Sequence, residues 1–565
     1  MVKKYFLQKQ NFFLILLFAS FILINFRPLL SIDDIFWDDN HWLLHFYKSD
    51  NLYDFLNYGF FEMRRYGQGI FFYNIFKLIA DYDHGLYLFN FFNILLKFFS
   101  TLLIFYLVFL LTKKNIIFSI LVSIIYISNP LDHALPYISA ANYRLGFFLE
   151  ILSIYISVKA FYLNNFDLKR LFYCIFLTVF SIFFLIETIL VFEPVRILFI
   201  YIILYNKKIP FSKMNFKKYL IKYIILYFIF TLPFIFFKIY FPPYGSFENI
   251  YNLDVYRAFD LEQLLLIKKF FFGFFLFCIK KHEIFFSSIE YNFSYYLIFI
   301  LFIIFLFNII KNNHINDIKN LPFLKYIIFF GFYIYFSQIL FINFVNRPYS
   351  YGLNSTHAHF AEIGMAFIIA ALIFKLFSSL VIYSKAKIYI VNISLFFLLL
   401  IISFIGIYTN HTNLAIFHYG SNKEKAFWTK FEKKFKNRMD RPFILFDIDR
   451  SKDYQDIFHV IDLDSRQDLD FHLYKKRFIL SKDKKNNFQA ILLDEALRGT
   501  SESNNYINFS ECFIKIRQPG GQFLVIYPKD LNVIKFFNGS FYLNEEIRRI
   551  NNNSNNLCFI DRLTE

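Results

Sequence analysis

The sequence lacks three patterns that mark common soluble enzymes: a glycine-rich nucleotide loop, a zinc-ligand spacing and a nucleophile elbow. Only four cysteines occur in its 565 residues. Cys174 and Cys278 lie in apolar stretches, where packing is the expected role. Cys512 and Cys558 could pair if the C-terminal region lies in an oxidising compartment, a question that their spacing alone does not decide.

Acidic residues are outnumbered, with 43 Asp and Glu against 60 Lys and Arg, for a net charge of +17. Such an excess can indicate nucleic-acid binding. The chain is also 57% hydrophobic and 23% aromatic, with a mean hydropathy of +0.44. Apolar runs of about 17–25 residues recur, which is long enough to cross a bilayer core. The sequence therefore predicts an all-α polytopic membrane protein, whose basic residues lie in cytoplasmic loops rather than on nucleic acid.

The apolar runs predict about eleven membrane spans. No small-residue cleavage site follows the first run, which ends at Arg27-Pro28, so we interpret that run as a retained anchor. The predicted spans are 11–28, 86–112, 115–128, 144–163, 171–186, 190–205, 219–240, 293–310, 321–345, 360–377 and 388–408.

Every second loop between these spans is rich in lysine or arginine, as alternating topology requires. This pattern predicts a cytoplasmic N-terminus and an extracytoplasmic C-terminal region. In the region 266–281, the short apolar segment Phe270–Ile279 has two lysines on each side and is interpreted as interfacial or re-entrant. If that segment spans the membrane instead, the later topology inverts.

The chain changes character near residue 409, where long apolar runs end. Short β-like runs occur at 443–446, 490–493, 513–516 and 523–527, and Pro519-Gly-Gly521 resembles a hairpin turn between the last two. The predicted organisation is a transmembrane domain over 1–408, which includes an outer loop at 29–85, and a soluble α/β domain over 409–565.

The first outer loop carries a cluster of acids directly after span 1, in the stretch Ser31-Ile-Asp-Asp-Ile-Phe-Trp-Asp-Asp-Asn-His-Trp42. The carboxylates are Asp33, Asp34, Asp38 and Asp39. Such acids can cap helices in a solvated loop. A carboxylate at a membrane face can also act as a general base, and a nearby arginine can bind a phosphate leaving group.

Further polar residues lie at predicted span ends on the same side. Arg64 and Arg65 precede span 2, and His133 and Arg144 belong to the second outer loop and the start of span 4. Glu187 lies between two short spans, where an isolated charge needs a cationic partner, water or a function. Glu193 and Arg196 are three residues apart on one helix and can pair with each other. Arg347 opens the loop before span 10.

In their order along the chain, these features resemble the GT-C-fold glycosyltransferases that use polyprenyl-phosphate sugars, of the mannosyltransferase and arabinosyltransferase kind. The resemblance covers about residues 1–380. It rests on the segments Asp33-Asp34, Arg64-Arg65-Tyr66, Pro130 to Arg144, Ile186-Glu187-Thr188 with Pro194, and Arg347-Pro-Tyr349.

The resemblance implies transfer of a sugar from a polyprenyl-phosphate donor to a glycan, lipid or protein acceptor at the outer face of a bacterial inner membrane. Asp34 is the first choice for the catalytic base, followed by Asp33, Asp38 and Asp39. A divalent metal, Mg²⁺ or Mn²⁺, is compatible with the family but not required. The implied donor-phosphate ligands are Arg64, Arg65, Arg144 and Arg347, with His133 and Glu187 in supporting roles.

Three other functions are open. A transporter or flippase for a lipid-linked glycan is also polytopic, but it is expected to carry polar groups near the membrane midplane and internal repeats. The sequence shows polar groups collected at span ends instead. A scaffold would use the loop acids only as helix caps. A polysaccharide polymerase or ligase is expected to have its long outer loop late in the chain, whereas here the acidic loop is early.

Overall fold

The computed structural model describes the chain as two compact units, formed by residues 1–33, 59–243 and 248–415 and by the remaining residues. The structure describes only part of each unit. The residues that the structure describes are 2–32, 35, 38–63, 65–129, 135–138, 140–163, 168–181, 192–206, parts of 221–233, 293–312, 324–344, 361–383, 388–439, 441–448, parts of 473–492, 505–508, 513–517, 523–526, 531–537 and 540–543.

The first unit is built from helices, because an apolar run in lipid must satisfy its backbone hydrogen bonds within itself. A short 3₁₀ helix, Arg27–Ser31, follows the first of them and carries Pro28 in its first turn, where a missing N–H costs little. Two helices of the chain, α2 (Asp38–Lys48) and α3 (Leu52–Asn57), belong to the second unit. The described helices of the first unit are α1 (Val2–Phe26), α4 (Tyr66–Asp81), α5 (Gly85–Leu111), α6 (Ile116–Ser128), α7 (Ala141–Leu163), α8 (Leu168–Phe180), α9 (Glu193–Asn206), α10 (Phe293–Asn312), α11 (Leu324–Phe344), α12 (Ala361–Tyr383) and the first part of α13 (Ile388–Phe435).

Within the described residues, six helices are long and apolar enough to cross a membrane. The prediction of a helical membrane protein is confirmed at this level. Helices α6 and α11 are apolar over shorter stretches, Ile116–Ser128 and Leu324–Ser337. The six long segments are Asn11–Ser31, Gly85–Leu111, Ala141–Leu163, Phe293–Lys311, Ala361–Ser379 and Ile390–Phe435.

The full count of about eleven spans stays a prediction. The segment 266–281 and most of the predicted span 219–240 lie outside the described residues. Helices α8 and α9, with 13 and 14 residues, are shorter than a straight crossing needs.

Helix α13 is longer than the predicted last span. Its 48 residues correspond to about 72 Å at 1.5 Å per residue, more than twice the hydrocarbon thickness of a bilayer. The helix continues through residue 408 without a break, so the boundary predicted there lies inside a helix. Near its end the helix carries Phe427, Phe431 and Phe435 at four-residue spacing, so one face stays apolar after the long apolar run has ended.

Polar contacts show which helix ends meet in the first unit. Asn410 of α13 donates to Asn25 of α1 at 2.9 Å and to the Ile127 carbonyl of α6 at 3.3 Å. His411 contacts Tyr295 of α10 at 3.3 Å. Helices α1 and α6 end at this level and α10 begins there. We call this the loop-1 end of the bundle, because the first outer loop begins here after α1. The directions in which these helices run are those that alternating topology predicts.

Small residues and aromatic rings fill the helix contacts. A Cβ atom on Gly364 of α12 would lie 2.7 Å from the Gly331 carbonyl oxygen of α11, so the two backbones are in direct contact. Such close approach is common between membrane helices, where packing rather than the hydrophobic effect drives association. Phe21 of α1 stacks on Phe302 of α10 with ring centroids 4.6 Å apart.

The second unit contains α2, α3 and the strands that follow α13. The strands are β1 (Phe443–Ile448), β2 (Gln489–Leu492), β3 (Asn505–Asn508), β4 (Phe513–Arg517), β5 (Phe523–Ile526), β6 (Leu531–Phe537) and β7 (Ser540–Leu543). One sheet has the order β2-β1-β6-β7, in which β1 pairs in parallel with β2 and β6. The other is the antiparallel sheet β3-β4-β5.

Each β-like run predicted after residue 409 coincides with a strand, and β4 and β5 pair antiparallel. The turn predicted between them lies outside the described residues. The helices α2 and α3 of the first outer loop belong to the same compact unit as these strands. A separate extracytoplasmic α/β domain over 409–565 stays a prediction. Cys278, Cys512 and Cys558 lie outside the described residues, whereas Cys174 is buried, as its apolar surroundings predict.

Candidate functional site

Several residues predicted to form the site lie outside the residues that the structure describes. They are Asp33, Asp34, Arg64, His133, Glu187 and Arg347. The structure does place four others, Asp38, Asp39, Arg65 and Arg144, in two separate units. Their roles in donor binding or catalysis stay predictions.

In the second unit, Asp38 is the first residue of helix α2 and Asp39 the second. Asp39 is fully buried, at 0% exposure. A carboxylate in the first turn is favoured by the positive end of the helix dipole. The next residue, Asn40, donates to the Ile35 carbonyl at 2.8 Å and so ties the start of the helix to the chain before it. The acidic loop is thus at least partly helical and buried.

Arg65, in the first unit, stands at the N-terminal boundary of α4. It is half-buried, and its Nη1 atom donates to Gln68 Oε1 at 3.3 Å, within the first turn of the helix. This contact joins two residues of the same helical turn and explains how the Arg65 side chain is held. It does not identify a ligand for Arg65.

The main polar feature of the first unit is a buried stripe along α5, which we call the α5 polar face. From Asn90 its members follow at intervals of three or four residues, with Ser100 and Thr101 adjacent at the end, and they therefore share one side of the helix. Each is at most 3% exposed although the helix is otherwise apolar. They are Asn90, Asn93, Lys97, Ser100 and Thr101.

Asn90 holds the chain segment that leads to the first acids. Its Nδ2 atom donates to the Leu29 carbonyl at 3.0 Å and to the Ile32 carbonyl at 3.1 Å, so it bridges both ends of the 3₁₀ turn after α1. Ile32 directly precedes Asp33 in the sequence. A side chain of α5 therefore holds the turn that ends at Ile32, the last described residue before Asp33.

Asn93, three residues further along α5, holds Arg144 of α7. Arg144 is 3% exposed, and its Nη1 atom donates to Asn93 Oδ1 at 3.2 Å. Asn93 Nδ2 in turn lies 3.5 Å from the Leu135 carbonyl oxygen, in the second predicted outer loop. One amide side chain thus connects three segments at the loop-1 end of the bundle.

Lys97 lies one turn deeper, about 18 Å along α5 from its first residue. Its Nζ atom contacts Glu362 Oε2 at 2.8 Å, and it lies 4.0 Å from the ring centroid of Tyr126. Glu362 is in the first turn of α12, where the helix dipole also favours a carboxylate. The pair is charge-balanced, as a buried ion pair in lipid must be.

A second buried charge cluster joins α7, α8 and α9. Arg196 donates to both carboxylate oxygens of Glu193, at 2.9 and 2.7 Å, so the pairing expected from their spacing is present. Arg196 also donates to Glu150 Oε1 at 2.9 Å.

Lys97, Glu150 and Glu362 are not among the site residues predicted from the sequence. A signal for them existed, since each is a single charged residue within or at the start of an apolar run, and such residues are rare and paired. The expectation that polar groups collect only at span ends was therefore wrong for α5 and α7. Lys97 and Glu150 lie near the middle of these helices because other helices supply partners for them there.

No group of three or more His, Cys, Asp or Glu side chains in the described part of the chain is arranged to hold a metal ion. Comparison with known proteins gives no match to any protein-family model and none to a curated protein. The functional argument therefore rests on the residues and their contacts.

Removing one partner of the Lys97–Glu362 pair should destabilise the fold. We expect Glu362→Gln or Lys97→Met to cost about 3–5 kcal/mol, because each leaves a buried charge without its counter-ion. The double variant Lys97→Met/Glu362→Leu should recover most of the loss. Thermal unfolding of the purified full chain in detergent measures this, with Lys375→Met, at an exposed site on α12, as the control. Single variants as stable as the wild type would contradict the assignment.

Proposed function

We propose that the protein transfers a sugar from a polyprenyl-phosphate donor to an acceptor hydroxyl at the loop-1 end of its helix bundle. The proposal includes an extracytoplasmic location for this end, in a bacterial inner membrane. One observation carries it: Asn90 and Asn93 lie on one face of α5, and the first binds the segment before Asp33 while the second binds Arg144. A candidate base and a candidate phosphate ligand thus depend on neighbouring turns of the same helix.

The chemistry that these residue types can perform fits this reaction. The acceptor oxygen bonds to the anomeric carbon of the sugar as the bond from that carbon to the phosphate oxygen breaks. A carboxylate, Asp34 or Asp33 in this proposal, takes the hydroxyl proton. The guanidinium of Arg144 stabilises the negative charge of the departing lipid phosphate, through a fork of donors that matches phosphate oxygens.

The membrane setting supports a lipid-linked donor. The helices long enough to span a membrane give the isoprenoid chain an apolar environment, while the polar groups at the loop-1 end are available to a headgroup. Arg64, Arg65 and Arg347 remain proposed phosphate ligands in addition to Arg144. The same arrangement requires no metal and excludes none.

A second candidate function is transport or flipping of a lipid-linked glycan. The observation that favours it is the burial of two ionic clusters, Lys97 with Glu362 and Arg196 with Glu150 and Glu193, inside the bundle. Ionisable groups at such positions often line ion or substrate pathways. A transporter would move an intact donor across the membrane, whereas a transferase would split it into sugar and lipid phosphate.

Replacing Arg144 should remove sugar transfer. We expect Arg144→Gln to lower kcat/KM for a labelled polyprenyl-phosphate sugar at least about 100-fold, because the developing phosphate charge loses a donor. Arg144→Lys, which keeps the charge but not the fork, should be intermediate. Transfer is measured in proteoliposomes, per amount of folded protein, with Lys159→Gln on an exposed site of α7 as the charge-removal control. Loss of activity only in proportion to lost folded protein would show a structural role.

Neutralising the loop acids tests the base. We expect Asp34→Asn to abolish donor consumption, because asparagine cannot accept the hydroxyl proton. Asp33→Asn, Asp38→Asn and Asp39→Asn show whether a neighbouring acid has the role instead. Release of free polyprenyl phosphate is the readout, and an assay of intact donor crossing the bilayer tests the transporter alternative in the same preparation. Unchanged lipid-phosphate release in all four variants would exclude these acids as the base.

A further inference from the structure

The guanidinium of Arg196 is the centre of a polar cluster inside the first unit. Its side chain is 0% exposed. Besides the contacts with Glu193 and Glu150, Nη1 donates to Ser153 and Ser157 at 2.8 and 2.9 Å, and Nη2 donates to Thr178 at 2.8 Å. Every nitrogen of the guanidinium therefore has an acceptor.

The cluster contains one acid more than it has bases. Two carboxyl groups, those of Glu150 and Glu193, contact the single guanidinium of Arg196. Within the described part of the chain, no second cation contacts either carboxyl group. If both were ionised, the cluster would carry a net charge of −1 within a membrane-spanning bundle, where an unbalanced charge is strongly disfavoured.

Hydrogen bonding identifies where the excess charge is neutralised. Glu150 is fully buried, and its Oε2 atom has no donor among the described residues. Glu150 Oε1 and Glu193 Oε1 both accept from the same nitrogen of Arg196, Nη2, at 2.9 and 2.7 Å. Two ionised carboxylates on one guanidinium nitrogen repel each other, and a proton on one of them removes that repulsion.

We propose that Glu150 and Glu193 together hold one proton, which makes this cluster a buried proton-binding site between α7 and α9. The proton neutralises the excess carboxylate and removes the repulsion between two carboxylates held by one guanidinium. Glu193, which accepts two hydrogen bonds from Arg196, is the ionised partner, and Glu150 carries the proton. The site is independent of the sugar-transfer proposal, since none of its residues belongs to the α5 polar face or the acidic loop.

The Lys97–Glu362 pair provides a matched control within the same bundle. It lies within the first unit with both side chains at most 2% exposed, but it contains one acid and one base. Its charges balance without a proton, so Glu362 is expected to be ionised. A glutamate-to-glutamine change is thus nearly isosteric at both positions, but it removes a proton-bearing group only at Glu150.

Infrared difference spectroscopy of the full chain in lipid nanodiscs at neutral pH tests the proposal. The wild type should show the carbonyl stretch of a protonated carboxyl group, and Glu150→Gln should lack it. Glu193→Gln should lack it as well, because Glu150 then becomes the ionised partner of Arg196. Glu362→Gln should retain the band. A band that survives in both Glu150→Gln and Glu193→Gln, or that is absent from the wild type, would overturn the proposal.

Thermal unfolding provides the second readout. Glutamine resembles a protonated glutamic acid, so Glu150→Gln should unfold within about 2 °C of the wild type. Glu362→Gln should unfold several degrees lower, because it leaves Lys97 unpaired. A bound sodium ion could balance the excess carboxylate only if that carboxylate were ionised. The midpoint of thermal unfolding of the wild type should therefore not change when sodium is replaced by choline at constant ionic strength. A sodium-dependent midpoint, or a Glu150→Gln variant as unstable as Glu362→Gln, would show that the excess carboxylate is ionised.

Discussion

A buried polar group in an apolar helix bundle must find a partner within the protein, and that constraint organises the first unit. The α5 polar face is its clearest expression. Asn90 ties down the turn after α1, Asn93 contacts α7 through Arg144, and Lys97 contacts α12 through Glu362. Helices that are distant in sequence are thereby connected by a few directional contacts, whereas the aromatic packing around them is comparatively non-directional.

The same contacts link the fold to the proposed chemistry. A membrane transferase that uses a lipid phosphate must hold a base and an anion-binding group at a bilayer surface while its apolar helices surround the lipid. In the proposed site, the two asparagines of α5 would serve this need, since Asn90 binds the turn before Asp33 and Asn93 binds Arg144. Lys97 lies one turn further along α5 and connects that helix to α12. The Arg196 cluster lies on other helices and connects α7, α8 and α9.

Sequence patterns predicted the features that depend on neighbouring residues. Apolar runs gave the positions of the long helices, β-like runs gave strands such as Phe443–Ile448, and a three-residue spacing gave the Glu193–Arg196 pair. They did not predict the Lys97–Glu362 pair, whose members are 265 residues apart, because no local spacing encodes a contact between distant helices. Helix α13 extends beyond its predicted end at residue 408 because the sequence after the apolar run still has helical spacing, as at Phe427, Phe431 and Phe435.

The central claim, that α5 supports a sugar-transfer site, is tested most directly by Asn93→Leu in the donor-consumption assay. This change removes one acceptor of Arg144 without changing an ionisable group. A hydrogen bond to a charged group contributes about 1.5–3 kcal/mol, so transfer per folded protein should fall at least about 10-fold. Ser100→Ala, on the same buried face two turns away, should leave transfer unchanged. Wild-type turnover by Asn93→Leu would contradict the account.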